Sequence, residues 1–453
     1  MVGVCLFSRE AISWLENLLE ERFGHRFSLI EMNTSLIIKV EGYEKIIEFD
    51  RLQSIFHESK ADFLCKLWRP SDEGYDSPIY ETIYAPSEHN LESPLININD
   101  FGAAIHYDIL GLTYWILTRF EEVNRNDLDT HSRFPAIHSH AFRHGYLERP
   151  IVDEWLLILA QVIQRVWPNI ELKSHQFSIH LSHDVDVPSL YSFKSWNSIF
   201  RIMFSKLFKK GDIKSFFIAP YIKLTTKEEL HRLDPMNKFD WIMDVSESND
   251  LKSTFFFISG QTSPLFDSDY SLDDVCIRNL LKKIHKRGHE IGLHPSYNTF
   301  MNPEALKREA ENLKHICEVE CISQSEWGAR MHYLRWSHPL TMYTLSNAGI
   351  NYDSTLGYAD RPGFRCGTCH EYQAFDPVSQ KSLNLRIKPL VVMECSVISS
   401  SYLGLGISVF SENKIKMLKE RCRIVGGTFS LLWHNSEFTD EKQREMYIKI
   451  LRD

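Results

Sequence analysis

The run Gln176-Phe-Ser-Ile-His-Leu-Ser-His-Asp-Val-Asp186 decides how this chain is read. Its first seven residues are β-rich and alternate in polarity, which predicts a buried strand. The acidic cluster His183-Asp184-Val185-Asp186 closes it. Side chains two apart on a continuing strand point the same way, so Asp184 and Asp186 would crowd one another. Two crowded carboxylates are costly unless a cation or an arginine sits between them. A divalent ion held by Asp186 and His294 would relieve the crowding and leave Asp184 free as a base near metal-bound water. For this motif by itself, a turn or helix cap carrying a solvated acidic pair is an equal alternative.

Working downstream, strand and helix alternate. A helix is predicted at 239–250, a buried strand at Ser253–Ile258, a helix at 273–287 and a short strand at 290–293. Further strands follow at 391–395 and 427–433, then a helix at 439–451. Such alternation argues for parallel strands joined by crossover helices, whose active residues gather at the carboxyl ends of the strands. Residues 201–233 fit the rhythm poorly and read as an insertion. Their six lysines, interleaved with aromatics, could touch an acidic ligand or form a solvated helical face. Upstream, an amphipathic helix at Arg9–Phe23, strands at 35–41 and 45–49, an apolar helical pattern at 107–123 and a strong helix at 152–166 make a second α/β region. Pro168 and Asn169 punctuate its end, so a boundary is placed near residue 172, separating domains 1–172 and 173–453.

Composition narrows the function classes. Of 453 residues, 43% are hydrophobic and 25% charged, which excludes a disordered or fibrous chain. The formal charge of -9 offers no general attraction to nucleic acid or anionic lipid. The start, MVGVCLFSREAISWLENLLEERF, has no basic leader and no small-residue cleavage site, so it does not read as a signal peptide. The apolar run 155–163 has about half the ~20 residues a membrane helix needs. Nine cysteines spread over the chain suggest reduced thiols in a cytoplasm rather than a disulfide framework. Cys366-Gly-Thr-Cys369 has metal or redox spacing, but no second such pair completes a four-thiolate site. Aromatics reach 12%, enough for large cores and for rings that stack on sugar faces.

Three clusters end predicted strands: Ser182-His183-Asp184-Val185-Asp186, Gly292-Leu-His294-Pro-Ser-Tyr297-Asn298 and Leu432-Trp433-His434-Asn435. Together they resemble the polysaccharide deacetylase family, the NodB-type carbohydrate esterases, over about residues 175–440. The resemblance implies an α/β fold with a distorted (β/α)7-type barrel, preceded by a smaller α/β accessory domain. It makes Asp184 the catalytic base and Asp186 a ligand of a divalent metal ion, zinc foremost. The family's second motif carries two metal-ligating histidines four apart and follows the phrase Gly288-His-Glu-Ile-Gly292 closely. Here those positions are His294 and Asn298. Asn298 could ligate through its side-chain oxygen, His183 could fill the position, or the metal could be lost and the fold reused.

In the third motif the resemblance matches Tyr333-Leu-Arg335-Trp336, with Arg335 holding Asp184 through a bidentate pair and Trp336 walling a sugar groove. Asp353, in Tyr352-Asp-Ser-Thr-Leu-Gly-Tyr358, would orient the catalytic acid. His434, ending Leu431-Leu-Trp-His434, would protonate the departing amine, its alternative being a satisfied core histidine. In the loop 361–376, Arg361, Arg365 and His370 could read phosphate or carboxylate on a nucleotide-linked or lipid-linked glycan, or the loop could tie itself down by hydrogen bonds. His183, Tyr297, Trp336, Arg365 and His370 are thus the candidate substrate contacts, and Trp433 stands beside them. The implied activity is removal of an N-acetyl group from an amino sugar in a cytoplasmic precursor of surface polysaccharide, O-antigen or capsule. A catalytically silent glycan-binding or scaffold protein, or a deformylase acting on a formamido sugar, are the competing readings.

Overall fold

Ser8 starts the first helix by accepting a hydrogen bond from the Ala11 N–H, and Gly24 ends it in the left-handed conformation that glycine adopts without penalty. Between these caps, Arg9–Phe23 buries Trp14, Leu15, Leu18, Leu19 and Phe23, the stripe of an amphipathic helix. The computed structural model describes residues 6–32 and 34–452; residues 1–5 of the stretch read for a leader, Cys5 among them, lie outside the described residues.

Two compact units divide the chain. Unit 1 takes the chain through Ser178, then Leu356–Val391 and Met417–Phe429; unit 2 takes Ile179–Thr355, Val392–Lys416 and the chain from Ser430. A single boundary near residue 172 therefore misses two later segments that group with unit 1. Buried polar pairs explain the return: Arg365 donates to both Glu122 oxygens, at 3.0 and 2.6 Å, and Thr368 Oγ1 donates to Asp153 at 2.6 Å.

Unit 1 holds a five-stranded sheet in the spatial order Ser28–Met32, Ser35–Lys39, Ile46–Phe49, Gly102–Ile105, Ile96–Asn99. Only the Ile46–Phe49 and Gly102–Ile105 pair is parallel. The pattern at 107–123 resolves into the fully buried helix Ile109–Leu117 and a 3-10 turn, Phe120–Glu122. That turn carries Glu122 into a buried cluster with Arg119 and Arg365. Burial raises the Glu122 pKa, but Arg365 and Arg119 outweigh it and bring the group from 4.5 to about 2. A depressed carboxylate stabilises the fold above its unfolded pKa and loses that contribution as pH falls. The Glu122 contribution is thus expected to be complete above pH 4.5 and to vanish on acidification toward 2. Arg365→Met leaves a buried charge short of a partner, and urea unfolding at pH 7 is expected to show a loss of about 3–5 kcal/mol.

Unit 2 is built on parallel strands, two of which begin with residues counted in unit 1, Ser178 and Thr428–Phe429. We number them β1 (Ser178–Val185), β2 (Ser253–Ile258), β3 (Glu290–His294), β4 (Gly328–Ala329), β5 (Tyr352–Asp353), β6 (Val392–Met393) and β7 (Thr428–Leu432). Their spatial order is β5-β4-β3-β2-β1-β7-β6, with parallel pairing throughout β1 to β5 and between β6 and β7. Among the described residues no ladder joins β5 to β6. Strand β2, Ser-Thr-Phe-Phe-Phe-Ile, is buried at every position, as a strand covered on both faces must be. Gly292 in β3 is required by that packing, because a Cβ there would lie 2.3 Å from the Phe256 ring. Helices Phe239–Glu247, Val275–Lys286, Pro303–Val319 and Glu441–Arg452 occupy the connections and the chain end. Residues read as an insertion form two helices, Trp196–Lys210 and Ile213–Thr225, capped by Ser195 and Asp212.

Candidate active site

Strand periodicity makes the first contribution. Asp184 and Asp186 leave β1 on one face, while His183, just before them, faces the opposite side and is fully buried, its Nδ1 2.7 Å from the Trp433 carbonyl. Burial lowers the His183 pKa to about 3, so it is a neutral core histidine rather than a ligand or substrate contact. Register brings the rest to the same end of the sheet. Asp184 pairs across to Phe256 on β2, Leu293 to Ala329, and Ala329 to Asp353, so His294, Arg330 and Asp353 arrive at adjacent carboxyl ends.

Arg330, the residue after β4, is the partner of Asp184. Its Nη1 donates to Asp184 Oδ1 at 3.1 Å and to Ser182 Oγ at 2.8 Å, while Nε and Nη2 donate to the Ser354 carbonyl and hydroxyl. The guanidinium lies over the Phe256 ring at 4.6 Å and is fully buried. The anchor expected of Arg335 is therefore supplied five residues earlier. Tyr333 and Leu334 both adopt left-handed backbone, φ 61° and 55°, which turns the chain away from Asp184. Arg335 instead lies 3.9 Å over the Tyr297 ring and 3.6 Å over Phe300, donating to the Tyr297 carbonyl. Such consecutive conformations cost about 1–3 kcal/mol each and persist where surrounding contacts over-determine them.

His332, which opens that turn, was not singled out in the sequence. Its Nε2 lies 3.6 Å from Asp186 Oδ1, beside His294 Nε2 at 3.3 Å from the same oxygen. His294 Nδ1 lies 2.5 Å from the Arg330 carbonyl and His332 Nδ1 lies 3.1 Å from Asp267 Oδ1, both acceptors, so each Nδ1 holds a proton and Nε2 is the ring atom left for a ligand. Both Nε2 atoms face Asp186 Oδ1, a buried oxygen without a hydrogen-bond partner among the described residues, so a shared cation there would take their lone pairs. One ligand atom from each of Asp186, His294 and His332 lies within 4.8 Å of the other two. Three converging lone pairs fit a divalent cation, and the acceptors behind each Nδ1 are the supports that fix metal-ligating imidazoles. The charge balance agrees. Burial lowers the His294 pKa, but Asp184 and Asp186 together raise it above its ordinary value, the response of a site short of positive charge.

Asn298 is not part of this cluster: it is exposed, and its side-chain amide donates to the Thr262 carbonyl at 2.9 Å. His332 reaches the position that Asn298 was expected to fill.

His434 completes the site from beyond β7. Its Nε2 lies 3.8 Å from Asp186 Oδ2, and its Nδ1 lies 2.5 Å from Glu394 Oε1 on the residue after β6. Burial lowers the His434 pKa, but the Glu394 carboxylate outweighs it and, with Cys395, raises it well above the ordinary value. The supporting carboxylate is thus Glu394 rather than Asp353. Asp353 is fully buried, accepts from the Thr355 backbone and hydroxyl, and takes the Trp336 indole N–H at 3.2 Å. Trp336 is buried with its indole N–H spent on Asp353, and Tyr297 is buried against Phe266 at 4.2 Å.

The expected anion readers Arg365 and His370 are engaged inside unit 1. Arg365 pairs with Glu122, and His370 Nε2 donates to the Val425 carbonyl at 3.1 Å. Next to His370, Asp153 and Cys369 complete a second potential metal-binding group, but the Asp153 oxygens already accept from Thr368, Arg22 and the Cys369 N–H. A carboxylate so saturated does not ask for a cation, in contrast to Asp186.

A family model described as a family of unknown function (DUF7033) matches residues 10–168, all within unit 1. No curated protein matches the sequence. Among solved structures, a protein assigned as a polysaccharide deacetylase from Mycobacterium smegmatis is similar over 62% of this chain and 84% of its own, at 14% identity and TM-score 0.40. Puue allantoinase is similar over 61% of this chain and 83% of its own, at 9% identity and TM-score 0.37. Among the described residues no helix is long and apolar enough to cross a membrane.

Proposed function

We propose that unit 2 hydrolyses the N-acetyl group of an amino sugar, with a divalent cation, zinc foremost, held by Asp186, His294 and His332. The observation that carries this reading is the meeting, at the strand ends, of an arginine-anchored carboxylate, a lone-pair cluster short of a cation and a carboxylate-supported histidine. When bound, such an ion polarises the amide carbonyl and makes water acidic enough to lose a proton near neutral pH. Asp184, fixed by Arg330 and 3.7 Å from His294 Nε2, accepts the proton of the attacking water. Arg330 keeps that carboxylate oriented through five buried contacts rather than touching substrate. His434, its imidazolium favoured by Glu394, donates a proton to the amine nitrogen as the C–N bond breaks, giving acetate and a free amino sugar. Asp186 and His434 are the half-buried members of the group, so substrate reaches the site from their side.

A precursor of surface polysaccharide, O-antigen or capsule, handled in the cytoplasm, is the proposed substrate. The test is release of acetate and of free amine from N-acetylated sugars by the full chain supplied with zinc. Acetate in step with amine supports the reading; formate points to the formamido sugar; neither product, from a protein that binds zinc, supports the silent glycan-binding alternative.

A further inference from the structure

Two helices of unit 2 expose an apolar face. In Trp196–Lys210 the residues Trp196, Phe200, Phe204 and Phe208 recur every fourth position, and all four are exposed, Phe208 to 81%. In Ile213–Thr225, Ile213, Phe217 (71%), Tyr221 and Leu224 (65%) recur three or four residues apart and are all exposed. These helices do not lack a core. Ile199, Met203, Ala219 and Ile222 are buried together with Tyr191, so each helix has one apolar side packed and another facing solvent. Eight large apolar side chains in one hairpin exceed the scattered exposure normal for a protein surface and mark an interaction site.

Charge says what covers it. Residues 194–227 contain eight Lys or Arg against one acid, Asp212, in a chain whose formal charge is -9. The absence of general attraction to anionic lipid thus hides a strongly cationic segment. A second copy brought face to face would set two such segments against each other and be repelled, whereas an anionic bilayer surface is attracted. Aromatics and leucine on one side of a helix with lysine around them are the make-up of helices that lie in a membrane interface. Helices of 15 and 13 residues rise about 22 and 20 Å, short of the ~30 Å hydrocarbon core, so they lie on a bilayer rather than span it.

We propose that the hairpin Trp196–Lys210 and Ile213–Thr225 docks unit 2 on an anionic membrane surface, its aromatic stripe entering the headgroup boundary and its lysines meeting lipid phosphates. Trp196 follows Asp186 by only ten residues, so docking ties the strand-end site to the lipid surface through a short connection. The inference stands on exposure and charge and does not depend on the hydrolytic reading.

Flotation of the full chain with phosphatidylcholine vesicles, with and without about a third phosphatidylglycerol, tests it. The wild type is expected to float with the anionic vesicles, and less so at ~0.5 M salt where the screening length shortens. F208E/F217E removes the two most exposed rings, and K214E/K227E reverses two exposed lysines. Each is expected to lower partitioning at least about tenfold with thermal unfolding unchanged, since all four side chains are exposed. Failure of the wild type to float, or variants that float equally well, overturns the proposal. A wild-type dimer that F208E/F217E dissociates, without vesicle binding, overturns it in favour of a second copy of the chain.

Discussion

Asp184→Asn is expected to lower deacetylation about 10²- to 10⁴-fold while leaving bound zinc at the wild-type level. The substitution keeps a side-chain oxygen for the 3.1 Å bond from Arg330 Nη1, so the loop geometry is retained, but it removes the lone pair basic enough to take a proton from water. Metal content measured beside acetate release separates a lost base from a lost ion. A variant that retains both zinc and full turnover would show that another group accepts the proton. Arg330 keeps its bonds to Ser182 and Ser354 in the variant, so a folded protein is expected, with its thermal transition as the check.

His332→Ala is expected to lose zinc, and Asn298→Ala to keep it. Removing His332 deletes one of three lone-pair donors aimed at the Asp186 oxygen and leaves a two-ligand site. Asn298 is spent on a loop carbonyl, so its loss costs one exposed hydrogen bond, about 1 kcal/mol or less. Asp267→Asn supplies an intermediate case. Asp267 accepts from His332 Nδ1 and also from the Tyr297 and Thr262 amides, and weakening such a support lowers metal affinity about 10- to 100-fold. Zinc titration against a competing chelator orders the three variants. Equal affinity in His332→Ala and the wild type would remove His332 from the site.

The acidic pair on β1 and the histidine closing β3 were legible in the sequence because period-2 alternation and a strand end are local signals that seven or eight residues suffice to display. Strand β4 was not. It is two residues long, Gly328-Ala329, with no alternation to read, and its register against Leu293 is what carries Arg330 and His332 to Asp184 and Asp186. Without that register, Arg330 and Arg335 are two arginines in one short run, and only the left-handed backbone at Tyr333 and Leu334 sends the second one elsewhere. Asp267 lies in the loop after β2 and Glu394 sits inside a quoted strand, but neither shows its partner, 65 and 40 residues away, to a linear reading. The later segments of unit 1 escaped for the same reason: Arg365 and Glu122 are 243 residues apart.

Anomalous diffraction at the zinc edge from crystals grown with the ion tests the central claim most directly. A single peak about 2.0–2.2 Å from His294 Nε2, His332 Nε2 and an Asp186 oxygen is the predicted result. A peak on the Asn298 side chain with His332 outside bonding distance, or no peak among these residues, would contradict it.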